Sequence, residues 1–144
     1  CERGYHIVFR GEQHRISRVV GWQEHGFNAT PMNGGLRLAG TVELAGLKKP
    51  LNPQRIAYLT AQAHQMFSGL GEPEEEWLGH RPTLPDSLPV ISRSPRSDRV
   101  LLAFGHHHIG LTLGGITGRI IADLAEGRVP NFDISAYAAT RFQR

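Results

Sequence analysis

Val100-Leu-Leu-Ala-Phe-Gly-His-His-His-Ile-Gly-Leu-Thr-Leu-Gly-Gly-Ile-Thr-Gly118 joins an apolar run to a glycine-rich helical pattern through a histidine loop. Val100–Phe104 has the unbroken apolarity of a fully buried strand. Gly105–Gly110 is then a strand-to-helix loop, and a helix is predicted from Leu111 to Glu126, ending at Gly127. Its apolar positions Leu113, Ile116, Ile120 and Leu124 recur at helical spacing. The first backbone N–H groups of such a helix have no intrahelical partner, and its dipole favours negative charge there. Gly110, Leu111 and Thr112 are therefore a candidate anion site made of backbone. Gly114, Gly115 and Gly118 each cost about 1 kcal/mol relative to alanine in a helix interior. Two explanations stay open: close packing of the helix on a sheet, or the approach of a flat ligand.

Working outward from this segment, Tyr5–Arg10 alternates as a strand and Ile16–Trp22 is a shorter candidate. Phe27–Met32 and Leu36–Leu44 flank Asn33-Gly34-Gly35, a hairpin signal. In the second of these strands Leu36, Leu38, Gly40, Val42 and Leu44 are predicted to share the core face. Arg37, Ala39, Thr41 and Glu43 are predicted to share the opposite face, facing solvent or a cavity. Asn52 as cap, Pro53 at the first helical position and Ile56, Leu59, Ala63 and Phe67 at helical spacing predict a helix that stops near Gly69. Glu72–Glu76 reads as an acidic connector. Pro82, Pro85, Pro89 and Pro95 break the next stretch into extended loop with short strands around Trp77–Arg81 and Leu88–Ile91. The order of strands, helix, strands, helix is that of an α+β chain.

The composition bounds the function. The 144 residues suit one ordinary domain or a piece of something larger, and 40% hydrophobic with 20% charged residues excludes a disordered chain. No apolar run reaches the roughly 18–20 residues of a membrane span, and no secretory signal is visible. The expectation is a cytoplasmic protein, with at most peripheral contact with the inner membrane. Cys1 is the single cysteine, which rules out an intramolecular disulfide. It is read as a boundary left by cutting or processing rather than as an N-terminal nucleophile. The pI of 9.5 raises nucleic acid as a partner, but the 16 Lys and Arg residues are scattered, so no nucleic-acid partner is expected. His106, His107 and His108 invite a metal reading, yet consecutive loop histidines rarely converge on one ion and no Cys pair or His-Glu-x-x-His accompanies them. No metal site is expected. A Gly-x-Ser-x-Gly elbow is also missing, which weighs against a serine hydrolase. Arg81, two residues after Gly79 and just before Pro82, has the fork geometry to grip a carboxylate. The plainer alternative is a surface arginine stacked on Trp77 or paired with Asp86.

Taken together, four motifs carry a resemblance. They are Glu2-Arg3-Gly4-Tyr5-His6, the run from Pro31 to Glu43, Gly79-x-Arg81-Pro82-x-Leu84-Pro85-Asp86-x-Leu88-Pro89-Val90-Ile91, and Ala103-Phe-Gly105-His106-x-x-x-Gly110-Leu111-Thr112-Leu113 with Thr117-Gly118-Arg119. In this order they resemble the C-terminal part of the FAD-dependent D-amino acid oxidase/dehydrogenase (DAO) superfamily, which includes glycine oxidase and the bacterial D-amino acid dehydrogenases. The family's Gly-x-Gly-x-x-Gly fingerprint for the FAD pyrophosphate has no counterpart here, so the ADP-binding half of the cofactor site is absent from the chain.

The resemblance implies an antiparallel sheet with a helix as the C-terminal portion of a substrate-binding domain over residues 1–76. Residues 77–144 would then be the last strand–helix unit of a Rossmann-like FAD domain, contacting the isoalloxazine. It implies FAD as cofactor, with Gly105, His106, Gly110, Leu111, Thr112 and Leu113 as cofactor-binding residues. A helix start at the flavin's pyrimidine edge suits the negative charge of the reduced ring. Arg81 matches the arginine that holds the substrate carboxylate. His108 stands where glycine oxidases carry a second arginine, a departure from that subgroup, and Tyr5 is a further candidate for lining the substrate cavity.

The implied activity is oxidation of a D-amino acid, of the D-proline or D-hydroxyproline type, to an imino acid by hydride transfer. The expected partners are a small amino acid substrate and the N-terminal FAD-binding portion of the same enzyme, and the chain alone is expected to be inactive and to self-associate. The rival readings are a non-catalytic binding module without flavin and a metal-binding domain built on the three histidines.

Overall fold

A computed structural model describes residues 1–142. The chain divides into two compact units, Cys1–His80 and Arg81–Arg144.

The first unit is a five-stranded antiparallel sheet with one helix on it. The strands are β1 (Glu2–Arg10), β2 (Val20–Trp22), β3 (Phe27–Met32), β4 (Gly35–Glu43) and β5 (Glu75–Arg81), in the order β2-β3-β4-β1-β5. The helix α1 spans Pro53–Met66. Of the expected strand Ile16–Trp22 only β2 forms, and Glu12–Arg15 before it turns as a 3-10 helix. The β3–β4 hairpin closes through Asn33-Gly34, with Met32 opposite Gly35 and Gly34 at φ 98°. α1 begins as its punctuation predicts: Asn52 Oδ1 accepts from the Gln54 N–H at 3.0 Å and Pro53 follows. Its buried side chains Ile56, Leu59 and Ala63 pack with Tyr5, Ile7, Phe9, Leu36 and Leu38 on one face of the sheet.

One expectation fails instructively. Leu36 and Leu38 are buried as predicted, but Val42 and Leu44 are exposed, and the Glu43 side chain keeps only 10% of its accessible surface. The cause is a β-bulge. Tyr5 pairs with Gly40, whereas Gly4 pairs with Val42, which leaves Thr41 unmatched at φ 59°. One extra residue reverses every later side chain across the sheet. Glu43 is thereby turned to the core side, opposite fully buried Arg3.

There the Tyr5 hydroxyl donates to Glu43 Oε2 at 2.6 Å, and Asn52 Nδ2 donates to Oε1 at 3.2 Å. Arg3 Nε lies 3.3 Å from Oε2, and its two terminal nitrogens donate to the Lys49 and Pro50 carbonyls at 2.6 Å each. The buried arginine thus meets a carboxylate and two carbonyls, the partners its desolvation requires.

The second unit holds a two-stranded sheet, β6 (Val90–Ser94) with β7 (Ser97–Phe104), and the helix α2 (Gly110–Ala125). β7 is not the fully buried strand its sequence predicts: Val100 and Phe104 keep 46% and 47% of their surface. Among the described residues it pairs only with β6, so two strands supply less cover than the apolar run calls for. The buried stripe of α2 also departs from expectation, with Thr117 and Ile120 buried and Ile116 exposed. Beyond α2, Arg141 fixes the C-terminal segment to the proline-rich loop, with Nε 2.6 Å from Asp86 Oδ2 and Nη2 donating to the Leu88 carbonyl at 2.7 Å. Among the described residues no helix is long and apolar enough to cross a membrane.

The network around Glu43 has a pH signature. The Tyr5 hydrogen bond, aided by Asn52, Lys49 and Arg3, outweighs burial and holds the Glu43 carboxyl below its ordinary value of 4.5. A carboxylate whose pKa is depressed on folding stabilises the fold above its unfolded pKa and loses that contribution as pH falls through the folded value. The thermal stability of the wild type is therefore expected to fall progressively below about pH 4.5. Glu43→Gln is expected to be less stable at pH 7 and to show a flatter acid dependence. An unchanged acid limb in that variant would refute the assignment.

Candidate cofactor site at the start of helix α2

β7 delivers the chain to Gly105, which is buried and adopts φ 85°. A Cβ there would lie 2.5 Å from Leu84 Cδ1, so glycine is required both by the backbone and by the close approach of the proline-rich loop. His106 then turns inward. Its Nε2 lies 3.0 Å from Thr117 Oγ1 and its carbonyl accepts from the Ile109 N–H at 3.1 Å. This explains why Thr117, and not Ile116, faces the interior of α2: the threonine hydroxyl meets the imidazole.

His107 takes a left-handed conformation at φ 52°, and its Nε2 is buried with no hydrogen-bond partner among the described residues. His108 is exposed. The three rings do not converge, and no group of three or more His, Cys, Asp or Glu is placed to hold a metal ion among the described residues.

The helix that follows begins at Gly110 with no side-chain cap, since Ile109 occupies the N-cap position. Its first turn is open. Leu111 keeps 98% of its surface, Thr112 is exposed and Leu113 is half-buried. A Cβ placed on Gly114, Gly115 or Gly118 would meet nothing within 4 Å among the described residues. Packing among the described residues therefore does not account for these three glycines. On the other side of α2 a cavity of about 650 Å³ lies between Leu113, Thr117 and Ile120 and the segment carrying Phe132, Ile134 and Tyr137.

The remaining candidates are placed differently. Arg81 is half-buried, closes β5, and accepts at its carbonyl from the Thr83 N–H at 2.8 Å. Asp86 is engaged by Arg141, which with the Leu88 N–H holds that carboxyl below its ordinary value of 3.8. Tyr5 is 1% exposed and its hydroxyl is engaged by Glu43, so in this structure it serves the buried network of the sheet. Nothing in the sequence points to the Arg3–Glu43 pairing, because the unmatched residue of the bulge that creates it is Thr41 and not a glycine.

The sequence profile of the FAD dependent oxidoreductase (DAO) family matches residues 1–124. The chain belongs to this family. It is 35% identical over 98% of its length to a D-amino-acid oxidase of Bradyrhizobium diazoefficiens, covering 35% of that protein. It is 31% identical over 97% of its length to a D-amino acid dehydrogenase of Paramagnetospirillum magneticum, covering 34% of that protein. Among solved structures, glycine oxidase from Geobacillus kaustophilus superposes with a TM-score of 0.81 at 24% identity, over 97% of this chain and 38% of that one. The chain thus spans about a third of the length of the curated relatives it matches.

Membership in the DAO family makes FAD the cofactor to test against these residues. The start of α2 fits it: an uncapped helix N-terminus supplies unpaired N–H groups, and the three-glycine face leaves room for a flat ring to approach. Gly105, His106, Gly110, Leu111, Thr112 and Leu113 lie along this loop and first turn.

The glycines separate two effects. Gly105→Ala is expected to destabilise the protein by about 1–2 kcal/mol through its backbone conformation alone, and by more through overlap with Leu84. Gly115→Ala is expected to stabilise the isolated chain by up to about 1 kcal/mol, because its Cβ meets nothing. Urea denaturation midpoints measure both, and a matching loss in the two variants would contradict the open face.

Proposed function

We propose that this chain is the C-terminal part of an FAD-dependent enzyme that oxidises D-amino acids, of the D-proline or D-hydroxyproline type, to imino acids. The observation that carries the reading is the uncapped, glycine-faced start of α2 in a DAO-family chain. Support for the substrate class comes from relatives named D-amino-acid oxidase and D-amino acid dehydrogenase. Residues 1–76 are assigned to the substrate-binding domain and residues 77–144 to the segment of the FAD domain that meets the isoalloxazine.

When bound, FAD supplies the hydride acceptor. The chain's own residues do the rest. The first N–H groups of α2, at Gly110, Leu111 and Thr112, favour negative charge at the ring edge they face. Gly105 and His106 set the loop so that this helix start is presented, with the His106–Thr117 contact holding the turn. Arg81 grips the substrate carboxylate with its fork of N–H donors and so fixes which face of the α-carbon is presented. His108, exposed beside the helix start, lines the substrate side in place of the glycine oxidase arginine.

The partner of this chain is assigned to the N-terminal FAD-binding portion of the same enzyme. Support lies in the apolar side chains left exposed on the second unit, Val100, Phe104, Ile109 and Leu111. Expressed without that portion, the chain is expected to self-associate. A clean monomer with a sharp unfolding transition would contradict the assignment.

The deciding experiment is anaerobic bleaching of the flavin in the complete enzyme on addition of D- and L-amino acids. Bleaching by D-isomers alone is expected, with Arg81→Gln raising KM by about tenfold to a hundredfold through loss of a charge-assisted hydrogen bond. Firm flavin binding without bleaching by any amino acid would overturn the substrate class and the role of Arg81.

A further inference from the structure

The proline-rich loop that follows Arg81 is held from outside itself. Pro82, Pro85 and Pro89 bring no N–H donors, so the loop can make few backbone bonds of its own. Among the described residues, the Thr83 N–H donates to the Arg81 carbonyl at 2.8 Å and the Ser87 N–H to the Leu84 carbonyl at 3.1 Å. The Leu88 N–H donates to Asp86 Oδ1 at 3.1 Å. Between Asp86 and Leu88, Ser87 stands at φ 60°, a left-handed conformation that is uncommon outside glycine and persists where its surroundings enforce it.

The enforcement comes from one side chain near the other end of the second unit. Arg141 Nε donates to Asp86 Oδ2 at 2.6 Å, and Nη2 donates to Asp86 Oδ1 at 3.3 Å and to the Leu88 carbonyl at 2.7 Å. One guanidinium thus grips the residues on both sides of Ser87, which suits a planar fork of donors and not the single point of an ammonium. Arg141 is itself fixed. Its Nη1 donates to the Ala138 carbonyl at 3.1 Å, its Cζ lies 4.3 Å from the centroid of the Phe142 ring, and its side chain keeps only 16% of its surface. The segment that carries it is pinned to β6, where the Ala139 N–H donates to Ser92 Oγ at 3.2 Å.

The place of the loop matters in two directions. Only Pro82-Thr83-Leu84-Pro85 separates Asp86 from Arg81, and the two prolines have fixed φ. A displacement at Asp86 therefore carries back to Arg81 with little slack. The loop also lies on the residue from which the turn into α2 departs: a Cβ on Gly105 would come within 2.5 Å of Leu84 Cδ1 and 3.7 Å of Pro89 Cα.

We propose that Arg141 is a positioning residue, whose clamp on Asp86 and Leu88 sets the loop so that Arg81 is presented to the substrate carboxylate. Arg141 acts through Arg81 and holds no part of the substrate itself. The inference rests on the carboxylate role proposed above for Arg81.

The test uses Arg141→Gln, Arg141→Lys, Arg81→Gln and the double variant Arg81→Gln/Arg141→Gln in the complete enzyme. Amide hydrogen exchange at Ser87 and Leu88 is expected to quicken by about tenfold or more in Arg141→Gln, with the amides of β6 and α2 unchanged. KM for the D-amino acid is expected to rise on the order of tenfold, and by less in Arg141→Lys, which keeps the charge but not the fork. The double-mutant cycle reads the route: once Arg81 is gone, Arg141→Gln is expected to change KM by less than about twofold. Unchanged exchange at Ser87 and Leu88, or an unchanged KM in Arg141→Gln, would overturn the proposal. So would effects that multiply in the double variant, or protection lost throughout β6 and α2, since either would make Arg141 a general tether of the C-terminal segment. A wild-type flavin that no amino acid bleaches would overturn the role of Arg81 and this inference with it. Failure of the exchange or of the cycle in an enzyme that D-amino acids do bleach overturns this inference alone.

Discussion

The first unit depends on a single inserted residue. Thr41, unmatched in the β1–β4 ladder, turns Glu43 to the side of the sheet that holds the core. A carboxylate there would be costly alone. It is tolerable because Arg3 lies opposite, Tyr5 and Asn52 donate to it, and the Lys49 and Pro50 carbonyls take the rest of the guanidinium. Asn52 is also the cap of α1. One polar cluster therefore ties the end of the sheet to the start of the helix that covers it. The opposite face of the same strands is left without a helix, and that is where Arg37, His6 and Trp77 gather.

The second unit shows the opposite pattern. Gly105 and the His106–Thr117 contact define the turn into α2 closely. Beyond that turn the helix presents an uncapped end, three glycines with open space and an almost fully exposed leucine. A helix stabilised by its own packing would fill such positions, since each glycine weakens it. The same sequence is coherent if something outside the described residues lies against that face. This is what joins the local geometry to membership in an FAD-dependent family.

Much of the fold is legible in the amino-acid sequence. The Asn33-Gly34 hairpin, the Asn52-Pro53 helix start and the end of α2 at Gly127 are all written in local chemistry, since capping and positive φ are properties of one or two residues. The order of strand, loop and helix marks Gly110, Leu111 and Thr112 as an anion site, while the wider set of cofactor candidates comes from the family resemblance. Sequence and structure part where partners are distant in the chain. β7 reads as buried because its residues are apolar, yet burial depends on what covers them. Tyr5 reads as cavity lining, yet its hydroxyl meets Glu43 across the bulge. Ile116 reads as core, yet the turn of His106 brings Thr117 inward instead.

The sequence by itself determined the α+β class, the order and approximate limits of most elements, the motifs that place the chain in its family, and the glycines that keep one helix face bare. Those follow from periodicity, capping and backbone freedom, which act over a few residues. Only the tertiary structure decided which face of β4 after Gly40 is buried, which carboxylate Arg3 meets, and which charged side chains gather on the other face of the sheet. A register shift of one residue reverses a strand's faces without leaving a mark in its composition, and charge pairing is settled by which strands come to lie side by side.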